Sequence, residues 1–121
     1  MEIECGVDWA SISLSGDIDM AWAEQHRHAF DRLCEGGNTS VVVDLEAVTF
    51  LDSTGLGLIA RLCEGCRARG GSVYVVKPSR TVLQAMECVG LTQVSQIVIA
   101  DSPAEIAAVR GRLAASTPQP S

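Results

Sequence analysis

The run VVVDL at residues 41–45 constrains the fold more than any other stretch. A short, nearly all-apolar, β-branched segment of this kind suits a strand covered on both faces, and so a central one. Leu56, Ile59, Cys63 and Cys66 then recur at helical spacing as far as Gly70-Gly71, and a second β-branched run follows at Val73 to Val76. Strand, helix and strand in that order imply a right-handed crossover and parallel pairing.

The flanking segments extend this core. Residues 2 to 7 and 9 to 15 read as a hairpin with Asp8 at the turn, the second strand alternating Trp9, Ser11, Ser13 and Ser15 against Ala10, Ile12 and Leu14. Gly16-Asp17-Ile18-Asp19 breaks that pattern. From Met20 the period is helical, with Trp22, His26, Ala29, Phe30 and Leu33 on one face and Gly36-Gly37 as the stop. Ser79 is placed to cap a helix carrying Val82, Leu83, Met86 and Val89, ended by Gly90. QIVI at 96–99 gives a last strand. Ser102-Pro103-Ala104-Glu105 combines a capping box with Pro at the first helical position, and Ile106, Val109 and Leu113 form the buried stripe behind it. The order ββαβαβαβα predicts an α/β domain over residues 1–115, a mixed β-sheet with helices mainly on one side, followed by a mobile tail at 116–121.

Composition narrows the function. At 121 residues and 47% hydrophobic the chain fits one domain, and aromatics at 4% leave the core to Val, Leu, Ile, Ala and Cys. A net charge of −6 speaks against a general nucleic-acid binder or adhesion to anionic lipid. The N-terminus has acids, no Lys or Arg and no apolar h-region, and no apolar run approaches the roughly 18 residues that span a bilayer. A cytoplasmic protein is therefore expected, with its five cysteines reduced.

FLDSTGLG at 50–57 carries the candidate chemistry. GLGLIA at 55–60 matches a dinucleotide fingerprint, but eleven residues separate VVV from Gly55, and the strand VYVV ends in Lys77 rather than an acid. Ser53 lacks the Gly two residues earlier that a nucleophile elbow needs, and neither His26 nor His28 supplies an evident base. Cys63 and Cys66 form a CxxC two turns into a helix, where they read as small core residues rather than redox or zinc ligands. No catalytic residue, metal site or cofactor is expected. Two readings of the turn remain. Asp52, Ser53 or Thr54 caps the helix, which the residue types alone favour; or Ser53 receives a phosphate at a helix start that tolerates negative charge.

LDSTGLG at 51–57, SGDID at 15–19 and KPSRTVLQAMECVGL at 77–91 together resemble the STAS domain family, and the likeness runs to about Leu113. Small stand-alone members resemble bacterial anti-sigma factor antagonists. The resemblance implies partner switching: the unphosphorylated protein binds an anti-sigma factor that is also a serine kinase and so frees the sigma factor. Phosphorylation by that kinase with ATP ends the binding, and a metal-dependent serine phosphatase resets it. By position, Ser53 is the implied phosphoacceptor, flanked by Asp52, Thr54 and Gly55, although Thr54 also offers a hydroxyl. The implied docking surface comprises Asp17, Asp19, Ser53, Thr54 and Leu56, on a monomer or weak dimer without nucleic-acid or membrane partners. The competing expectation is a STAS scaffold or transporter-subunit module with no role in sigma-factor control.

Overall fold

The run VVVDL forms the first half of the central strand. The computed structural model describes residues 1–6, 9–35, 40–94 and 97–116. Its elements are β1 (Glu2–Cys5), β2 (Trp9–Ile18), α1 (Met20–Glu35), β3 (Ser40–Leu51), α2 (Ser53–Ala68), β4 (Ser72–Val76), α3 (Arg80–Cys88), a 3₁₀ turn (Leu91–Gln93), β5 (Ile97–Ala100) and α4 (Pro103–Ser116). The sheet order is β1-β2-β3-β4-β5; β1 pairs antiparallel with β2, and every other pairing is parallel. This is the expected ββαβαβαβα order.

Strand periodicity divides the core in two. Ala10, Ile12, Leu14, Val41, Val43, Leu45, Val73, Val75 and Ile97 belong to one cluster with Phe30 and Leu33 of α1, Ile59, Leu62, Cys63 and Cys66 of α2, and Val82 and Met86 of α3. Val42, Val76 and Ala100 face the other way and pack with Ile106 and Val109 of α4. Three helices thus cover one face and one covers the other, and each fully buried aliphatic side chain contributes about 1.5–3 kcal/mol. Among the described residues no helix is long and apolar enough to cross a membrane.

Both expected caps form. Ser79 Oγ accepts from Val82 N at 3.2 Å, and Ser102 Oγ accepts from Glu105 N at 3.2 Å while donating to Glu105 Oε1 at 2.9 Å. Asp8, Gly36-Gly37, Gln96 and the tail from residue 117 lie outside the described residues, as does the side chain of Leu113.

Two expectations need correction. The segment at Gly16–Ile18 does not end β2, and β3 does not stop near Leu45: the two strands stay paired through Ile18 and Leu51. The reason is a pair of register shifts, between Ser13 and Ser15 and between Gly16 and Asp17. From Ser13 to Ile18 β2 advances while its partners run from Asp44 to Leu51, so the extra residues of β3 are accommodated as bulges. Gly16 takes φ 77° there, and Asp44 Oδ1 accepts from Glu46 N at 3.0 Å. The second correction is Val89, which follows the last residue of α3 and is 57% exposed rather than buried.

The bulges have a positional consequence. Only Ser40–Asp44 of β3 pairs with β4, so beyond Asp44 the β2–β3 pair continues as a two-stranded ribbon, and its end delivers α1 and α2 together.

Candidate functional site

The ribbon's end gathers the two loops that contain the candidate residues. Ile18 pairs with Leu51, and Asp52 N donates to Ile18 O at 3.3 Å, which sets Asp17 and Asp19 beside Asp52 and Ser53. Close approach is possible because residue 55 is glycine: a Cβ there would stand 2.8 Å from Ile18 O.

Asp52 is the helix cap. It keeps extended backbone angles (φ −91°, ψ −173°), and its Oδ1 accepts from Thr54 N at 2.9 Å and from Gly55 N at 3.1 Å. Its carbonyl accepts from Leu56 N at 2.9 Å. Among the three residues able to cap, capping therefore falls to the carboxylate, and Ser53 is the exposed first residue of α2.

The two neighbouring hydroxyls open onto different surfaces. Ser53 lines a shallow groove with Leu56, Gly57, Ala60, Val89 and Leu91. Thr54, half-buried, lines the α1–α2 cleft with Met20, Ala23, Phe30, Leu58, Arg27 and Arg61, among others. Arg61 Nη1 lies 2.9 Å from Asp31 Oδ1 across that cleft. Helical geometry produces this split, since Ser53 shares its face with Leu56, Gly57 and Ala60, and Thr54 shares its face with Leu58 and Arg61.

The acids differ in task. Asp19 Oδ1 accepts from Trp22 N at 2.9 Å and Asp19 O from Ala23 N at 2.9 Å, so Asp19 caps α1. Asp17 is exposed on the ribbon, where its Oδ1 accepts from Thr49 Oγ1 at 2.7 Å. Leu56 is 9% exposed and contributes chiefly to the groove wall beside Ser53. The expected residues thus come together at one end of the domain. Sequence reasoning missed Gly57, Val89 and Leu91 beside Ser53, and the exposed Met20 and Phe50 near the same end. An apolar side chain just past a helix stop, as at Val89-Gly90, is the signal that could have marked the groove.

The competing chemistries fare as follows. GLGLIA lies inside the helix, with Gly55 in its first turn, rather than in a loop that cradles pyrophosphate. Cys63 and Cys66 are buried. Burial pushes the Cys63 thiol up, with Glu64 adding to the rise and Arg67 opposing it, which disfavours the thiolate a nucleophile needs. His26 Nδ1 is 2.9 Å from Trp22 O, and its ring stacks on Trp22 at 4.2 Å. That is the setting of a packing residue on α1.

Comparison with known proteins agrees with this architecture. The chain is 30% identical over 81 residues to an anti-sigma F factor antagonist of Lysinibacillus sphaericus, covering 66% of this chain and 69% of that protein. Bacillus SpoIIAA, an anti-sigma factor antagonist solved in unphosphorylated and phosphorylated forms, superposes with TM-scores of 0.67 and 0.68 at 25% and 26% identity. The matches cover 92% of this chain and 96% and 98% of SpoIIAA. The STAS domain of a Vibrio cholerae SulP transporter shares the fold at 17% identity, with a TM-score of 0.64 over 93% of this chain and 89% of that one. The STAS domain family model matches residues 2–105, and on that match, together with the fold, the chain belongs to the STAS domain family.

Proposed function

We propose that this chain is an anti-sigma factor antagonist: a cytoplasmic binding protein whose unphosphorylated form engages an anti-sigma factor with serine kinase activity and thereby frees a sigma factor. In this reading the kinase transfers the γ-phosphoryl group of ATP to Ser53 Oγ. The Oγ–P bond forms, the bond to ADP breaks, and the hydroxyl proton passes to a base of the kinase. A metal-dependent serine phosphatase hydrolyses the ester. No residue of this chain supplies the chemistry; its contribution is to present a hydroxyl.

The observation that carries the reading is the exposed Ser53 at the start of α2 with its capping duty taken by Asp52. A hydroxyl committed to a cap would have to leave its amides before it could enter an active site. Ser53 has no such commitment to break, whereas Thr54 is half-buried in the α1–α2 cleft. Phosphate adds a charge of about −1.5 to −2 beside the Asp52 carboxylate, and each loss of about 1.4 kcal/mol lowers affinity tenfold. Similarity to the Lysinibacillus antagonist and to SpoIIAA supports the same assignment.

The test is incubation with candidate anti-sigma kinases and ATP, followed by mass analysis of the peptide containing FLDSTGLG. One phosphate on Ser53 is expected, with Ser53→Ala binding the kinase yet gaining no mass. Label retained on Ser53→Ala would move acceptance to Thr54. The STAS fold also occurs in the transporter domain from Vibrio cholerae, and a module of that kind would co-purify with membrane components and gain no mass from any serine kinase.

A further inference from the structure

We propose that Asp52 is a positioning residue that holds a phosphate on Ser53 away from its own chain, so that the added charge is presented undiminished to the partner. The inference rests on Ser53 as the acceptor and concerns how that site signals.

A phosphate at a helix start ordinarily folds back on the free amides of the first turn, which satisfy its oxygens and offset its charge. Here the amides that follow Ser53 in that turn are taken. Thr54 N and Gly55 N both donate to Asp52 Oδ1, and Leu56 N donates to Asp52 O. Guanidinium groups are the other usual partners of phosphate. The groove onto which Ser53 opens is lined by Leu56, Gly57, Ala60, Val89 and Leu91, none of them charged. Arg27 and Arg61 line the cleft of Thr54 instead. A phosphate on Ser53 therefore meets an occupied cap, an apolar wall and a carboxylate of its own sign. All three direct it outward.

The consequence is a switch that works by surface charge and leaves the fold alone. An outward phosphate also stays accessible to the phosphatase that removes it. The adjacent hydroxyl has different surroundings, because Thr54 shares its cleft with Arg27 and Arg61 and also with Glu24 and Asp31, the last paired with Arg61.

The test installs phosphoserine at residue 53 of the full chain by genetic encoding, so that it needs no kinase. Amide proton shifts of Thr54 and Gly55 and the Tm are measured with and without phosphate in the native sequence, in Asp52→Asn, which retains a neutral cap, and in Asp52→Gly. Glycine is itself a tolerated cap residue, so this last variant is expected to fold. Phosphate is expected to leave both amides in place and not to raise the Tm in the native sequence and in Asp52→Asn. In Asp52→Gly the freed amides bind the phosphate, both move downfield, and the Tm rises by about 4 °C. A cap with only a structural role would lower the Tm of Asp52→Gly equally in both states. The proposal is overturned if phosphate shifts those amides downfield and raises the Tm in the native sequence, or if Asp52→Gly shows no phosphate-dependent gain. Failure of kinases to label Ser53 is a separate result, and it would overturn the assigned function without touching this geometry.

Discussion

Gly55 lies against the last residue of β2, close enough that an added Cβ would stand 2.8 Å from the Ile18 carbonyl oxygen and 2.5 Å from Leu51 Cδ1. Leu51 is a side chain and can turn, but the carbonyl is backbone and already accepts the Asp52 amide at 3.3 Å. The position is therefore closed to any side chain.

Gly55→Ala is the direct test of that contact. Alanine improves helix propensity by about 1 kcal/mol, and overpacking costs about 1–3 kcal/mol. A net loss of about 1 kcal/mol in urea denaturation is expected, with slower phosphorylation as the first turn of α2 shifts. Equal or higher stability would show that the ribbon yields without cost.

Gly57 makes the opposite case from nearly the same sequence. It is exposed, one turn beyond Ser53, and a Cβ there would meet nothing within 4 Å. Gly57→Ala should stabilise the fold by up to about 1 kcal/mol while weakening the complex with the anti-sigma factor. Val89→Lys, at a position 57% exposed on the same groove, should leave stability within about 0.5 kcal/mol and lower affinity at least about tenfold, a cost of about 1.4 kcal/mol. Calorimetric titration of both variants with the partner checks this, and unchanged affinity for the pair would remove the groove from the docking surface.

These two glycines also show where sequence reading reaches. The run at 41–43 and the run at 73–76 announce strands because burial on both faces leaves little choice of residue type, and the alternation from Trp9 to Ser15 announces a strand with one polar face. The far half of β3 is silent for a physical reason. With bulges in the pair, the buried residues Leu45, Val48 and Leu51 recur every third position, a spacing that breaks strand alternation and would suit a helix face equally well. The cap was ambiguous because Asp, Ser and Thr all cap well; only the Asp52 backbone angles and its two amide bonds separate them. The different tasks of Asp17 and Asp19 depend on register between β2 and β3, which bulges hide from a linear reading.

The buried Cys63 thiol carries a pH dependence. Burial raises the Cys63 thiol above its ordinary range, so the folded state holds the proton that the unfolded state gives up as pH climbs through that range. The stabilisation is complete below the ordinary thiol range near 8.5, and it is lost as pH rises through that range toward the folded value. Cys63→Ala should show a flatter stability curve at alkaline pH, though a lower one for the lost packing. In the same preparation Cys5 and Cys88, both exposed, should react with a disulfide reagent promptly, whereas Cys63 and Cys66 react only as the protein unfolds.

Asp17 and Asp19 separate charge from structure within two positions. Asp19 caps α1 through its side chain, so Asp19→Ala should cost about 1 kcal/mol, and Asp19→Asn should restore most of it. Asp17 accepts from Thr49 Oγ1 at an exposed position, an interaction that an asparagine oxygen can also make. Asp17→Asn should therefore leave the urea midpoint nearly unchanged, within about 0.5 kcal/mol. If the acidic end of the ribbon meets a basic partner, the same variant lowers association with the anti-sigma factor several-fold, and the difference from the native chain shrinks as salt is raised. Measuring association rates at two ionic strengths decides it: a salt-independent loss would assign Asp17 a contact rather than a field, and no loss would take it out of the docking surface.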